Sequence, residues 1–172
     1  MNHLLKTGCL LLCCAMSTYS YGGDKSKKIM NTTAQNKEIV TKVYDCLNNR
    51  NTEPLKDIIA DDYAGIRNER GYQGFLNATQ PVIEAFPDVH WNIEDIIAEG
   101  DKVVVRWQWT GTNTNPFQHF AATGKAMTNT AIAIYEIRDG KIHHAWMQTD
   151  RLGFLQQLGV VDADITAPQA KR

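Results

Sequence analysis

The residues with chemistry to offer gather near the C-terminal end, in the stretch DGKIHHAWMQTDRLGFLQQLG from Asp139 to Gly159. Ile142, His144, Trp146, Gln148 and Asp150 recur at period two. In an extended chain they would share one face, setting an imidazole, an indole, an amide and a carboxyl in line. If that face lines a cavity, Asp150 stands at its end as an acid or base. Apolar surroundings would have to raise its pKa for it to exchange protons near neutrality. His144 would then polarise a carbonyl or orient Asp150. If the face meets water, the same residues are ordinary polar positions, and Asp150 caps a helix starting near Arg151.

Further candidates lie upstream. Arg106 is the one charge in VVVRWQWTGT (Val103 to Thr112), the most strand-like run of the chain. It reads either as an anchor for a carboxylate or enolate or as an exposed, ion-paired sheet residue. Trp107 and Trp109 are core residues by default, but indoles lining a cavity would suit a flat aromatic ligand. His119 sits in the polar, aromatic-containing loop Asn113 to Gly124, and loops of that length in compact domains tend to be functional.

Other chemistries lack their residues. His90, His119, His143 and His144 do not form a metal-binding spacing such as HExxH. There is no Ser or Cys nucleophile motif, phosphate-cradling glycine loop or dinucleotide fingerprint. The sequence therefore points to no metal and no cofactor, and away from phosphoryl and hydride transfer. A formal net charge of −1 over 172 residues, with no basic stripe in the body of the chain, argues against a nucleic-acid partner.

The elements that must position these side chains follow from periodicity. Residues 1–22 read as a signal peptide: Lys6 precedes the short apolar run CLLLCCAM (Cys9 to Met16), and small residues follow. The run is too short to span a bilayer, so the expected product is exported, periplasmic or secreted. Removal of this segment takes Cys9, Cys13 and Cys14 with it and leaves Cys46, expected to be a small core residue. Residues 23–33 read as a flexible lead-in, 34–161 as the domain and 162–172 as a disordered tail.

Within the domain, Ile39, Val40, Val43, Tyr44 and Leu47 mark a first helix. Leu55, Ile58 and Ile59 mark a short second one, with Pro54 in its first turn. A short extended piece covers residues 64–68. A third helix runs from Gln73 or Gly74 to Phe86, with Pro81 expected to kink or split it. Strands then follow, joined by turns at Glu99-Gly100-Asp101 and Asp139-Gly140. Strict alternation puts Trp91, Ile93, Asp95 and Ile97 on one face of the first of these strands. The fold class is α+β: three N-terminal helices packed on a curved, mainly antiparallel sheet of four or more strands. Both faces of the middle strands carry apolar groups, more than three short helices can cover, so a homodimer is expected.

Several strings resemble the SnoaL-like polyketide cyclase family, within the cone-shaped NTF2-like fold. They are Phe86-Pro87-Asp88 followed by Trp91, the EGDKVVVRWQWTGT hairpin, Thr123-Gly124-Lys125 and the closing DGKIHHAWMQTDRLGFLQQLG. The resemblance covers roughly residues 35–161. It implies that Asp150 matches the family aspartate that serves as acid/base in an intramolecular aldol ring closure, without metal or cofactor. It also adds Asn68 to His144 and Arg106 as groups that would hold the polarised oxygen. The chain departs from the pattern at Asn113 and at Arg67-Asn68, positions where relatives often carry histidine. The expected function is acid/base chemistry (aldol-type cyclisation, isomerisation or hydrolysis) on a small hydrophobic carbonyl compound. The alternative is a non-catalytic protein that holds an apolar ligand in the same pocket.

Overall fold

The computed structural model describes residues 23–164. The expected signal peptide and most of the expected disordered tail lie outside the described residues. Helix α1 spans Gly23–Asn48, so the 23–33 segment, read from its polarity as a flexible lead-in, is helical. A one-turn helix α2 (Leu55–Ile58) runs directly into strand β1 (Ile59–Ala64). The extended piece thus begins earlier than residue 64, where Ile59, Ala60 and Tyr63 are all buried. Helix α3 (Gly71–Ala85) continues through Pro81 as one element. Among the described residues no helix is long and apolar enough to cross a membrane.

Four strands follow: β2 (His90–Glu99), β3 (Lys102–Thr112), β4 (Ala126–Arg138) and β5 (Lys141–Thr149), then helix α4 (Arg151–Gln157). The sheet order is β1-β5-β4-β3-β2. The hairpin pairs are antiparallel, and β1 joins β5 in parallel as a fifth strand. The turns at Gly100 and Gly140 have positive φ (58° and 75°), which glycine adopts without a Cβ clash.

The inner sheet face carries Val103, Val105, Trp107 and Trp109 from β3 and Met127, Ala131, Ala133, Tyr135 and Ile137 from β4, all buried. They pack with Val40, Val43, Tyr44 and Leu47 of α1 in one hydrophobic core. The end of α1 is fastened to the start of β2 by polar side chains. The Asn48 amide donates to Trp91 O and accepts from Trp91 N, both at 2.8 Å, in the place of a neighbouring strand. Arg50 donates to Val89 O at 2.6 Å and Pro87 O at 2.8 Å. Edge backbone groups of β2 are thereby satisfied.

Two bulges reset the alternation that the sequence suggests. In β2, Ile93 pairs with Trp107 while Asp95 pairs with Arg106, so Glu94 is an extra residue. Ile96 then faces inward beside Val105, and Ile97 is 64% exposed, the reverse of strict alternation. In β5, Ile142 pairs with Ile137 and His144 with Glu136, leaving His143 as the extra residue. Each bulge shifts every later side chain to the other face.

Candidate functional site

The β5 bulge decides what the cavity contains. Ile142 is in the core, but beyond His143 the inward positions are Ala145, Met147 and Thr149. His144 and Trp146 project from the outer face, their rings in tilted contact with centroids 4.0 Å apart. The expectation that Ile142, His144, Trp146 and Asp150 share a cavity face is therefore corrected: the chain is extended, but its period is broken. His143, expected to be exposed, is half-buried and approaches the Asp62 carboxylate of β1 at 2.6 Å (Nδ1 to Oδ1).

A cavity of about 440 Å³ lies between the inner sheet face, α3, α4 and the loop after β3. That volume falls in the range of small-molecule sites. Trp91, Trp107 and Trp109 form its sheet wall, and Tyr63, Phe75 and Val82 line it from β1 and α3. Phe117, Phe120 and Phe154 close it from the loop and α4. Trp109 and Phe154 meet edge to face at 5.9 Å, and Phe117 and Phe154 at 5.2 Å, so the aromatic walls brace one another. Polar groups at the lining are Asn129, Gln148, Thr149 and Arg151 toward the α4 end, Arg67, Glu69, Asn77 and Thr79 on the α3 side, and Gln118 in the loop.

The loop is braced by a buried amide. Asn113 is fully buried. Its Oδ1 accepts from Thr123 N at 2.8 Å and Thr123 Oγ1 at 3.0 Å, and its Nδ2 donates to Asn115 O at 2.8 Å. At this position the amide braces the loop and does not line the cavity. Within the loop, Phe117 and Phe120 exchange backbone hydrogen bonds at 2.9 and 3.0 Å, which sets both rings toward the aromatic wall.

The other expected residues fall in separate places. Trp107 and Trp109 line the cavity. Arg106 is on the outer face, where the β2 bulge brings both Glu94 and Asp95 to its guanidinium; Asp95 accepts from Nε at 3.0 Å and Nη2 at 2.6 Å. These carboxylates hold its positive charge, so its role is that of an ion-paired sheet residue. Asn68 is exposed in the turn before α3, with φ of 64°. His119 is exposed, its ring against Phe120. Neither lines the cavity. Asp150 is exposed and caps α4, its carboxylate accepting from Gly153 N at 2.9 Å. Its two chain neighbours, Thr149 and Arg151, do line the cavity, so Asp150 stands at the rim.

Tyrosines supply what the sequence reading missed. Tyr44 of α1 and Tyr135 of β4 meet hydroxyl to hydroxyl at 2.8 Å, both buried. Burial pushes Tyr44 well above the usual phenol range, reinforced by Tyr135 beside it, and burial pushes Tyr135 up to about 12. Tyr63 is likewise raised by burial. These phenols therefore stay protonated and act as donors. Tyr135 stands at an inward position of a strand whose alternation is visible in the sequence, and that period was the available signal.

A family model for SnoaL-like polyketide cyclases matches residues 37–158. A comparison with curated proteins finds no match. Among solved structures, TsrD from Streptomyces laurentii is similar at 25% identity and a TM-score of 0.69, over 74% of this chain and 97% of that one. A candidate polyketide cyclase from Acidithiobacillus ferrooxidans is similar at 29% identity and a TM-score of 0.64, over 73% and 94%. IdmH from Streptomyces antibioticus, also a candidate polyketide cyclase, is similar at 28% identity and a TM-score of 0.64, over 73% and 99%.

Proposed function

The chain belongs to the SnoaL-like polyketide cyclase family, and we propose that it carries out cofactor-free acid/base chemistry on a small hydrophobic carbonyl compound held in the aromatic cavity. The observation that carries this reading is the cavity itself: aromatic walls with polar groups at the α4 end and along the α3 side. Such a lining removes a flat, apolar molecule from water and leaves its oxygens to a small set of donors. Proton transfer is assigned to Asp150 at the rim, between the cavity residues Thr149 and Arg151. To reach a substrate its carboxylate would turn away from the Gly153 cap, a change of side-chain rotamer with the backbone fixed by Asp150 N donating to Thr130 O at 3.0 Å.

The test is hydrogen–deuterium exchange at the α-carbon of aromatic methyl ketones in heavy water, followed by proton NMR. Catalysed exchange that depends on Asp150 supports the enzyme. Saturable binding without exchange would replace it with the second reading, a protein that only holds its ligand. That reading has one observation in its favour: the Asp150 carboxylate is already engaged as a helix cap.

The outer sheet face pairs two copies in a homodimer, supported by the apolar row of Ile97, Val104, Ile134 and Trp146. Export rests on the composition of residues 1–22, and N-terminal sequencing of the protein from its host tests it; an intact Met1 would remove it.

A further inference from the structure

Three donor groups converge under the cavity, and together they have one hydrogen bond. Tyr44 and Tyr135 share a single contact at 2.8 Å, which uses one of their two hydroxyl protons. The Trp107 indole N–H is buried beside the Tyr44 hydroxyl, whose phenolate it favours, yet it makes no hydrogen bond of full geometry among the described residues. Two protons are thus left over in an apolar interior. A buried donor without an acceptor forfeits its bond to water with nothing in return, so native proteins rarely leave one without a reason.

The arrangement has a direction. Trp107 can only donate, and the nearby Tyr44 oxygen is its natural acceptor. Tyr44 then donates to Tyr135, the orientation that leaves the spare proton on the residue lining the cavity rather than stranding it behind the wall. The remaining proton belongs to Tyr135. Tyr135 and Trp107 line the cavity, whereas Tyr44 lies behind them. We infer that the Tyr44–Tyr135 pair, with the Trp107 N–H beside it, ends in a hydrogen-bond donor at the cavity floor, built to receive the carbonyl or enolate oxygen of a flat apolar ligand.

This deepens the reading given above and rests on it, since the ligand must first be an apolar carbonyl compound. A hydroxyl that accepts a hydrogen bond is polarised as a donor, and a fixed donor in a dry site favours an oxygen that gains negative charge. Substrate oxygen would be held by the Tyr135 hydroxyl. The aromatic walls around it would set the ring plane. Ligands with an acceptor oxygen at one end of a flat ring system would be preferred over hydrocarbons of the same shape.

Two probes of matched shape separate the contributions: acetylnaphthalene, which carries the acceptor, and ethylnaphthalene, which does not. Binding of each is measured by quenching of tryptophan fluorescence in wild type, Tyr135→Phe and Tyr44→Phe. Loss of one hydrogen bond to the ligand predicts about tenfold weaker acetylnaphthalene binding in Tyr135→Phe, with ethylnaphthalene unchanged within about twofold. Tyr44→Phe should give a smaller loss for the ketone alone. The infrared carbonyl stretch of bound acetylnaphthalene should lie at lower frequency in wild type and return toward its apolar-solvent value in Tyr135→Phe. If both probes bind wild type but Tyr135→Phe weakens them equally or not at all, or leaves the stretch unmoved, the inference is overturned while the cavity reading stands. If neither probe binds wild type, both fall.

Discussion

Ile134 on β4 and Trp146 on β5 are register partners, and both project from the sheet face that the core does not use. The row continues through Val104 on β3 to Ile97 on β2, giving an apolar line across four strands. The row alongside it is polar, with Glu99, Lys102 and Glu136 charged and His144 at its end. An apolar stripe edged by both signs of charge suits a two-fold contact with a second copy. Ile134→Lys places a charge in the middle of the stripe. Sedimentation velocity at micromolar concentration should show a dimer for wild type and a monomer for the variant, with thermal stability of the fold retained. A monomeric wild type would remove the interface.

Asp150 has a structural duty that must be separated from any catalytic one. Asparagine caps helices about as well as aspartate, so Asp150→Asn should leave the melting temperature nearly unchanged. If Asp150 moves the proton, α-carbon exchange should fall by roughly 10²–10⁴-fold with ligand affinity retained. Asp150→Ala removes the cap as well and should cost about 1 kcal/mol of stability. Unchanged exchange in Asp150→Asn would assign the residue to the cap alone.

Met147 faces the cavity from β5 and is only half-buried, so a larger ring there can occupy the cavity without overfilling the core. Met147→Trp should weaken binding of acetylnaphthalene by at least about tenfold, the equivalent of 1.4 kcal/mol, while circular dichroism melts stay close to wild type. Trp146→Met, one residue earlier and on the outer face, should leave ligand binding unaffected. Equal effects of the two substitutions would contradict the assignment of the inner face.

Asp88 fastens the turn after α3 to the end of β3. Its carboxylate accepts from Thr112 N at 2.6 Å and Thr112 Oγ1 at 2.7 Å, and these hydrogen bonds, the backbone one foremost, hold its pKa below the usual carboxylate value. A depressed folded-state pKa contributes stability that is complete above the unfolded value, near 4, and is lost as pH falls through the lower folded value. Thermal melts across the acid range should therefore show a steeper decline for wild type than for Asp88→Asn. Parallel declines would mean that this carboxylate does not contribute to the acid limb.

Much of the architecture is legible without coordinates. The helix-period stripe from Ile39 to Leu47, the turn signals at Gly100 and Gly140 and the branched and aromatic run from Val103 to Trp109 are local patterns, and local backbone preference alone specifies them. Trp107 and Trp109 could be proposed as cavity walls for the same reason, because β3 keeps a strict period of two throughout. The composition of the last strand likewise announces a strand, but not which way its side chains point. That depends on His143, the extra residue against β4, whose ring lies beside Asp62 of a parallel strand more than seventy positions earlier in the chain. One inserted residue sends His144 and Trp146 outward and Ala145 and Met147 inward. Glu94 does the same in β2. The donor chain under the cavity was beyond sequence reading for a related reason: Tyr44 belongs to a helix stripe and Tyr135 to a strand face, each an ordinary core residue on its own. Only packing α1 across the sheet brings the two hydroxyls within 2.8 Å. Periodicity fixes what each element is; pairing between distant strands, and the bulges it imposes, decides which side chains meet.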